Sequence, residues 1–371
     1  VSSLYWLGIA VAGWLTRRRV PMLDRLSAPE PTTWPRVAVV IPARDEGVHI
    51  TEALRAKLED NYPALELHVI DDRSTDDTGA QAIAFNDPRV SVTRVDALPD
   101  GWLGKVNALQ RGVEATTTEW LLFSDADVHL APGTLARVIA WAEAQSLDFV
   151  SALPSVRAGD APTTVALQMF FRLITSTARL GSVADPNSKA AAGVGAFNLV
   201  RRSALAKSPG LEWLKMEVAD DMGLGVMLKR SGARCAVLAG RDAVTLQFYP
   251  SLAAMFRALE KNGAQAPAPM MLGGLVALLA VELGFYAGFS TPHAWVQLLA
   301  MVTFVWAVTT DFLTARWLRM PTWPAVFPGL GALPLTFAMA RSCLLAIKRG
   351  GVMWRGTFYP TAVVRAGQRL R

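Results

Sequence analysis

The sequence is poor in cysteine and lacks several motifs that mark common classes of site. It has 371 residues but only two cysteines, Cys235 and Cys343, which are too few for a disulfide framework or a cysteine-based zinc site. It contains no G-x-x-x-x-G-K-[ST] phosphate loop, and no G-x-G-x-x-G follows its first predicted strand. A dense basic stripe with interleaved aromatic residues is also absent from the sequence. These absences argue against a P-loop nucleotidase, a dinucleotide cofactor and nucleic-acid binding.

Apolar residues are abundant and unevenly distributed. They make up 52% of the chain, and the mean hydropathy is +0.28. Residues 36–265 have a mixed composition, whereas residues 270–347 are mostly apolar, which predicts a soluble domain carried on a membrane region. The net charge is +6, and many basic residues flank apolar segments: Arg17, Arg18, Arg19, Arg316, Arg319, Lys348 and Arg349. We therefore expect contact with anionic lipid at the cytoplasmic surface.

The first 19 residues predict a membrane anchor. An apolar run is followed by three arginines, the reverse of the order in a secretory signal. The arginines are expected on the cytoplasmic side. The segment is short against the roughly 20 residues that a spanning helix needs, and the chain begins with Val rather than Met, so its true start is expected to lie upstream.

Residues 36–265 alternate between short β-rich runs and helix-like runs, which predicts an α/β domain with a mostly parallel sheet and helices on both faces. Ser74 is expected to cap the helix after the second strand. Strands are predicted at 37–41, 65–70, 90–95, 120–124 and 148–153, and helices at 48–58, 105–114, 132–143 and 222–229.

Acidic residues follow four successive predicted strands. Ligands of parallel sheets bind beyond the carboxyl ends of the strands, so these groups are expected to face one crevice. A lone aspartate at such a position is ordinarily a helix cap or a solvated turn, but four in succession favour a binding site. The polar residues at these ends are Arg44, Asp45, Glu46, Asp71, Asp72, Asp96, Asp125 and Asp127.

These carboxylates predict a divalent cation. Asp125 and Asp127 are two residues apart, so in an extended chain both would point to one side. Mg²⁺ or Mn²⁺ is typically held by one or two carboxylates and substrate phosphates. Lys105 begins a predicted helix, whose N-terminus favours anions, although a surface loop lysine is the alternative. Asp220 and Asp221 precede another helix, where Asp220 is expected to act as a cap and Asp221 as a base toward an acceptor hydroxyl.

Six motifs in order resemble the family 2 glycosyltransferases. The sequence is most similar to the membrane-bound, lipid-directed group, such as hopanoid-associated and carotenoid (hydroxychlorobactene-type) glucosyltransferases. The tail GGVMWRGTFYP resembles the W-x-G-x-x-Y ending of that group, and the likeness covers residues 36–262. The six motifs are PARDE at 42–46, DDRSTDDT at 71–78, GWLGK at 101–105, DAD at 125–127, AAGVGAFNLVRR at 191–202 and ADDMGLG at 219–225.

The resemblance implies a GT-A fold, a nucleotide-sugar donor, a divalent metal (Mg²⁺ or Mn²⁺) and an inverting single displacement. It implies that Asp221 is the general base, with Asp220 as the fallback, and that Asp127 and Asp125 hold the metal. A Q-x-x-R-W motif found in many relatives is absent, which argues against a processive polysaccharide synthase. The residues implied to bind the nucleotide sugar are Pro42, Arg44, Asp45, Glu46, Asp72, Lys105 and Asp125.

The C-terminal membrane region is predicted over residues 266–349. Spans are expected at 270–289 and 294–318, with the uncharged loop STPH between them outside the cell. Residues 322–347 contain three prolines and are expected to form a re-entrant hairpin, with a normal crossing as the alternative. Residues 350–371 are predicted to be a basic cytoplasmic tail.

Together these features predict an enzyme of the inner membrane, multi-pass, with its catalytic domain on the cytoplasmic face. It is expected to transfer a hexose, such as glucose from UDP-glucose, to the hydroxyl of a lipid such as a carotenoid or hopanoid. Two apolar runs, 163–180 and 250–262, are expected either to pack in the core or to form an interfacial surface for that lipid. The alternatives are transfer to a polyprenyl phosphate and a catalytically silent membrane scaffold.

Overall fold

The computed structural model describes residues 1–370, and the chain divides into two compact units. The first unit comprises Val1–Arg19, Val156–Gly181 and Gln247–Ala366. The second comprises Val20–Ser155, Ser182–Leu246 and the last residues from Gly367. Residues 156–181 and 247–265, which lie inside the range predicted for the α/β domain, cluster with Val1–Arg19 and the residues after 265.

Thirteen α-helices and ten strands are formed by residues 1–370. The helices are α1 Ser2–Arg19, α2 Ile50–Leu58, α3 Thr78–Ala84, α4 Gly104–Glu114, α5 Thr134–Ala144, α6 Ala161–Thr177, α7 Arg202–Lys207, α8 Asp220–Arg230, α9 Leu252–Ala258, α10 Ala268–Leu283, α11 Ala294–Leu318, α12 Ala332–Arg349 and α13 Thr361–Gly367. The strands are β1 Val37–Ala43, β2 Leu65–Asp72, β3 Val90–Val95, β4 Trp120–Phe123, β5 Val128–Leu130, β6 Phe149–Ala158, β7 Asn198–Arg201, β8 Cys235–Tyr249, β9 Gly351–Trp354 and β10 Thr357–Pro360.

The main sheet has eight strands in the order β3-β2-β1-β4-β7-β6-β8-β5. Strands β3, β2, β1 and β4 run parallel to one another, so the carboxyl ends of these four strands share one edge. Strand β7 is antiparallel to both β4 and β6, and β5 is antiparallel to β8. Strand β1 is buried at all seven residues, as its continuous apolar sequence predicts for a central parallel strand. The predicted α/β class is confirmed, with antiparallel strands completing the sheet.

The helix cap predicted at Ser74 is wrong. Helix α3 begins at Thr78, and its N-cap residue Asp77 makes no side-chain capping bond. The Ser74 hydroxyl instead accepts a hydrogen bond from the Asp45 N–H at 3.1 Å. Ser74 therefore joins the loops after β1 and β2, and a tertiary contact takes the place of the local cap.

In the first unit, helix α1 packs against α6, α10 and α11 around a buried charged cluster. Arg172 is fully buried and lies over the Trp6 ring at 4.3 Å. Its guanidinium is 2.7 Å from a Glu282 carboxylate oxygen and 2.8 Å from one of Asp311. Because an unpaired buried charge is costly, this cluster fixes four helices in one arrangement.

One helix within residues 1–370, Ala294–Leu318, is long and apolar enough to cross a membrane. Helix α10 is apolar but has 16 residues and ends at Leu283, short of the span predicted over 270–289. Residues 322–347 contain a 3-10 turn, Trp323–Val326, and most of α12. Whether the segments other than 294–318 cross a membrane stays a prediction.

Candidate functional site

The acidic pair Asp125 and Asp127 lies in a turn and not in a strand. Strand β4 ends at Phe123, and the Val128 N–H donates to the Asp125 carbonyl at 3.3 Å. The Asp125 N–H donates to the Gly195 carbonyl at 3.2 Å. The expectation that an extended chain points both side chains to one side was therefore wrong. Their proximity comes from the turn, which is bound to the segment before β7.

Lys105 meets the carboxylates from the opposite side. It is the second residue of α4, and its Nζ lies 2.7 Å from Asp125 Oδ1 and 3.7 Å from Asp220 Oδ2. The side chain is 15% exposed. Burial alone would lower the pKa of Lys105, but Asp125, Asp220 and Asp221 together outweigh it and raise the pKa. The lysine is a fixed positive charge at the centre of the acidic groups, and not a surface loop lysine.

Asp220 and Asp221 are the first two residues of α8, which begins two residues before its predicted start. Asp220 is buried, and its carboxylate lies near Lys105. The Asp221 carboxylate accepts hydrogen bonds from the Gly195 N–H at 3.0 Å and the Met222 N–H at 2.8 Å. Asp220 therefore lies beside Lys105, and Asp221 lies beside the Gly195 backbone that also binds Asp125.

Gly195 is the residue that lets these groups converge. A Cβ atom there would lie 2.7 Å from Asp125 Oδ2 and 3.1 Å from Lys105 Nζ. A Cβ atom at Gly193 would lie 1.9 Å from the Asp221 carbonyl oxygen. The motif AAGVGAF thus passes between the two acidic elements. At Gly193, where the neighbouring atom belongs to the backbone, only glycine allows that approach. The sequence reasoning assigned no role to these glycines, although their spacing was visible.

A second polar group lies at the ends of β1 and β2. Asp45 has φ 55, in the left-handed region, and its carboxylate accepts hydrogen bonds from the N–H (2.7 Å) and hydroxyl (3.1 Å) of Thr75. Arg44 Nη1 lies 3.9 Å from Asp72 Oδ2, and Arg73 Nε donates to Asp72 Oδ1 at 2.8 Å. Two buried Arg44 nitrogens, Nε and Nη1, have no hydrogen-bond partner within residues 1–370. This group can offer donors and acceptors to a polar ligand.

Two of the predicted crevice residues do not join either group. Asp71 is buried, with its carboxylate accepting from the Ser74 N–H at 3.0 Å and from Arg94 Nη1 at 3.3 Å. The side chain of Asp96 is 90% exposed, and its nearest charged partner is Arg94 at 3.6 Å. Asp71 supports the loop structurally, and Asp96 is a solvated acid. The expectation that all the strand-end acids face one crevice was too broad.

Lys57 is a site neighbour that the sequence reasoning missed. It lies on α2, is fully buried, and donates from Nζ to the Val128 carbonyl and, at 3.4 Å, to the Asp125 carbonyl. Burial lowers the pKa of Lys57 to about 8, against the opposing effect of Asp127 and Asp125. Burial and the charge of Asp125 raise the pKa of Asp127. The only available signal was a lysine at an apolar position of an amphipathic helix.

One small cavity, about 10 Å³ in volume, is lined by half of the predicted site residues: Pro42, Lys105, Asp125, Asp220 and Asp221. The other half lie outside this lining: Arg44, Asp45, Glu46, Asp72 and Asp127. The cavity therefore marks the place where Lys105 meets three acidic residues.

The donor set fits a divalent cation that shares its ligands with a substrate. No group of three or more His, Cys, Asp or Glu side chains suited to a metal occurs in residues 1–370. Asp125 and Asp127 supply two hard oxygen ligands, which is the usual protein contribution when phosphate oxygens complete the shell. Chemically the pair therefore suits Mg²⁺ or Mn²⁺ bound together with a phosphorylated ligand.

Comparison with known proteins finds a family match for part of this chain. Residues 38–208 match the model of the family described as Glycosyl transferase family 2. A 4,4'-diaponeurosporenoate glycosyltransferase of Staphylococcus haemolyticus (strain JCSC1435) is 32% identical over 120 residues, covering 32% of each chain. The enzyme of the same name from Staphylococcus aureus (strain MRSA252) is 34% identical over 92 residues, covering 25% of this chain and 24% of that one. The match therefore spans about a third or less of these relatives.

Solved structures give weaker likenesses. A mannosyltransferase from Pyrobaculum calidifontis in complex with GDP-Man and Mn2+ is 18% identical, with a TM-score of 0.49, over 94% of this chain and 97% of that chain. Mannosyl-3-phosphoglycerate synthase from Rubrobacter xylanophilus is 19% identical, with a TM-score of 0.40, over 61% of this chain and 74% of that chain.

Proposed function

We propose that this protein, in which residues 38–208 form a family 2 glycosyltransferase domain, transfers a hexose from a nucleotide sugar to the hydroxyl of a membrane lipid. The observation that carries the proposal is the cavity in which Lys105 lies between the acidic turn and the N-terminus of α8. A cation-binding pair, a fixed ammonium and a separate carboxylate base are the groups that this transfer needs. UDP-glucose is our first candidate donor. The name of the two relatives, 4,4'-diaponeurosporenoate glycosyltransferase, supports an apolar acceptor but names a carboxylate, so the hydroxyl is our own proposal.

The nucleotide would bind at the ends of β1 and β2. Asp45 and Asp72 can accept hydrogen bonds from the base and ribose. Arg44 Nε and Nη1 have carboxylates at 3.9 Å but no hydrogen-bond partner in residues 1–370, so they can donate to carbonyl or phosphate oxygens of the ligand. The backbone N–H of Glu46 donates to the Thr78 hydroxyl at 2.7 Å, which shapes the loop after β1.

The diphosphate would lie between the acidic turn and Lys105. Asp125 and Asp127 would hold the divalent cation, which when bound neutralises the charge that develops on the leaving diphosphate. Lys105 is already largely desolvated and lies beside the turn, so it can stabilise the same charge after only a small shift of its ammonium. Lys105 Nζ would exchange part of its contact with Asp125 for a phosphate oxygen.

Asp221 would act as the general base. Its two oxygens each accept one backbone hydrogen bond, which fixes the carboxylate and leaves lone pairs for an acceptor hydroxyl. The hydroxyl proton moves to Asp221 as the oxygen attacks the anomeric carbon, and the bond to the diphosphate breaks. One displacement inverts the configuration of the sugar. Asp220, closer to Lys105, is the alternative base.

A lipid acceptor is consistent with the apolar surface of the first unit. The α11 residues Trp295, Leu298, Met301 and Val305 are each more than half exposed, as expected for a helix that meets lipid. We propose that α11 places the protein in the cytoplasmic membrane, with the glycosyltransferase domain on the cytoplasmic face. The predicted multi-pass topology remains part of this proposal.

The first test is thermal unfolding of the detergent-solubilised protein with UDP or GDP, with and without Mn²⁺. Ligand at a hundred times its dissociation constant adds about 2.7 kcal/mol to the free energy of unfolding. Stabilisation by UDP only with Mn²⁺, lost in Asp127→Asn and kept in the solvated control Asp96→Asn, would support the donor site. A preference for GDP would keep the reaction and change the donor. No response to any nucleotide from folded protein would favour the scaffold alternative.

The acceptor needs a separate test. Radiolabelled donor is incubated with membranes that contain the protein, and the labelled lipid is separated into neutral and phosphorylated fractions. Label in a neutral hydroxylated lipid supports the proposal. Label in a polyprenyl phosphate, undiminished in Asp221→Asn, would replace it, because an ionised phosphate needs no base.

A further inference from the structure

The acidic turn depends on a residue that cannot touch the donor. Lys57 is fully buried beneath residues 125–128 and reaches them from α2, an element outside the cavity lining. Its Nζ donates to two backbone carbonyls of the turn, those of Asp125 and Val128. A buried ammonium has to recover its lost hydration from nearby groups. The Lys57 ammonium recovers it from the two carbonyls of the turn. No carboxylate in residues 1–370 lies within 4.0 Å of it.

The position of Lys57 is costly unless it serves the turn. Residues 124–127 lie outside the strands. Ser124 at the start of the turn is held by its N–H to Val40 O at 3.2 Å and by its hydroxyl to Ala196 O at 3.0 Å, and the acidic part is held by Asp125 N–H to Gly195 O and Val128 N–H to Asp125 O. Two donations from a charged group therefore add substantially to what fixes this backbone. A methionine would fill the same space without the desolvation cost, so packing alone does not explain a lysine here.

The charges point the same way. The ammonium of Lys57 lies near the charges of Asp127 and Asp125, which repel each other. Lys57 restrains the mutual repulsion of Asp125 and Asp127 from inside the protein, where it does not occupy the oxygens that face the cavity.

We propose that Lys57 is a positioning residue that preforms the turn at 125–128 for the metal–diphosphate of the donor. The inference rests on the proposed function. The proposal predicts the direction in which the affinity for Mn²⁺ changes when Lys57 is replaced. If Lys57 acts only through its positive charge, removing that charge should strengthen cation binding. Removing the hydrogen bonds that shape the site should weaken it.

The test measures Mn²⁺ binding in the presence of UDP, by the electron paramagnetic resonance signal of free Mn²⁺, on the detergent-solubilised full chain. We expect Lys57→Met to weaken the affinity for Mn²⁺ about tenfold, equal to about 1.4 kcal/mol. Lys57→Gln keeps one donor and should fall between Lys57→Met and wild type. Arg55→Met removes a positive charge from the exposed face of the same helix and should leave the affinity within about twofold of wild type.

Each outcome decides the matter. Unchanged or tighter Mn²⁺ binding in folded Lys57→Met would overturn the positioning role, and so would failure of both Lys57 variants to fold, which would make the residue structural only. A wild-type protein that binds neither Mn²⁺ nor UDP would instead refute the proposed function. The two failures are therefore separable in one set of titrations.

Discussion

Substituting Gly195 by alanine should separate the chemistry of the site from the stability of the fold. The added Cβ would lie 2.7 Å from Asp125 Oδ2, against 3.4 Å or more for an ordinary contact, and 3.1 Å from Lys105 Nζ. Both atoms are the ends of side chains that can rotate. The clash is therefore expected to move the Asp125 carboxylate by about 0.7 Å and leave the backbone in place.

A displacement of this size should have little effect on the stability of the fold but a large effect on the rate of the reaction. Catalytic and binding groups must be held within about 0.5 Å of their productive positions, and a misplacement of about 1 Å can cost on the order of 100-fold in rate. We expect Gly195→Ala to lower kcat/KM by about 10- to 100-fold and to weaken Mn²⁺–UDP binding. The melting temperature should change by less than about 3 °C, which corresponds to roughly 1 kcal/mol in a domain of this size.

Gly193→Ala is the matched comparison. Its Cβ would lie 1.9 Å from the carbonyl oxygen of Asp221, a backbone atom that cannot rotate away. This variant should lose stability as well as activity. The assays are thermal unfolding and donor titration of both variants in parallel. Normal donor binding by Gly195→Ala, or equal loss of stability in the two variants, would refute the argument that the 195 contact acts through side chains alone.

Three further outcomes follow from particular contacts. Asp221→Asn should lower kcat by about 10²- to 10⁴-fold with donor affinity kept, and an unchanged kcat would transfer the role of base to Asp220. Arg172→Met leaves two buried carboxylates without their cation and should lower the free energy of unfolding by about 3–5 kcal/mol. An unchanged thermal unfolding curve would contradict this. Burial raises the pKa of Asp60 to about 6 from 3.8, so the folded state loses stability as pH rises between these values. Asp60→Asn should therefore be more stable than wild type at pH 8, by at most about 3 kcal/mol, and no more stable at pH 3.5; equal curves at both pH values would refute this.

The strands that are continuous and apolar could be predicted from the sequence. Strand β3 was placed at its observed bounds, Val90–Val95, and the fully buried β1 was placed from Val37 onward. The parallel order of the first four strands follows from their alternation with helices. The antiparallel strands β5 and β7 have three and four residues, too few for a periodic pattern, and the sequence reasoning named neither.

The cluster of Lys105 with the acids could be predicted only in part. The residue types were visible at the strand ends, but their grouping depends on turns that pattern reasoning does not resolve. The period-two argument for Asp125 and Asp127 failed because the chain turns at Asp125, where its carbonyl accepts from Val128 N–H. Lys57 was missed because a buried lysine looks, in sequence, like an ordinary polar position of a helix.

Gly104 brings the two polar groups of the domain close together, as the proposed donor site requires. A Cβ atom at this position would lie 2.1 Å from Asp72 Oδ2, so α4 begins directly against the acid that closes β2. The next residue is Lys105, whose ammonium lies 2.7 Å from Asp125. Only Gly104 separates Asp72 from Lys105, so one ligand could contact Asp72 with one end and Lys105 with the other. A nucleoside diphosphate has that form: a hydroxylated ribose at one end and an anion at the other. The close approach at Gly104 thus links the carboxylates after β2 to those after β4 through the first turn of one helix.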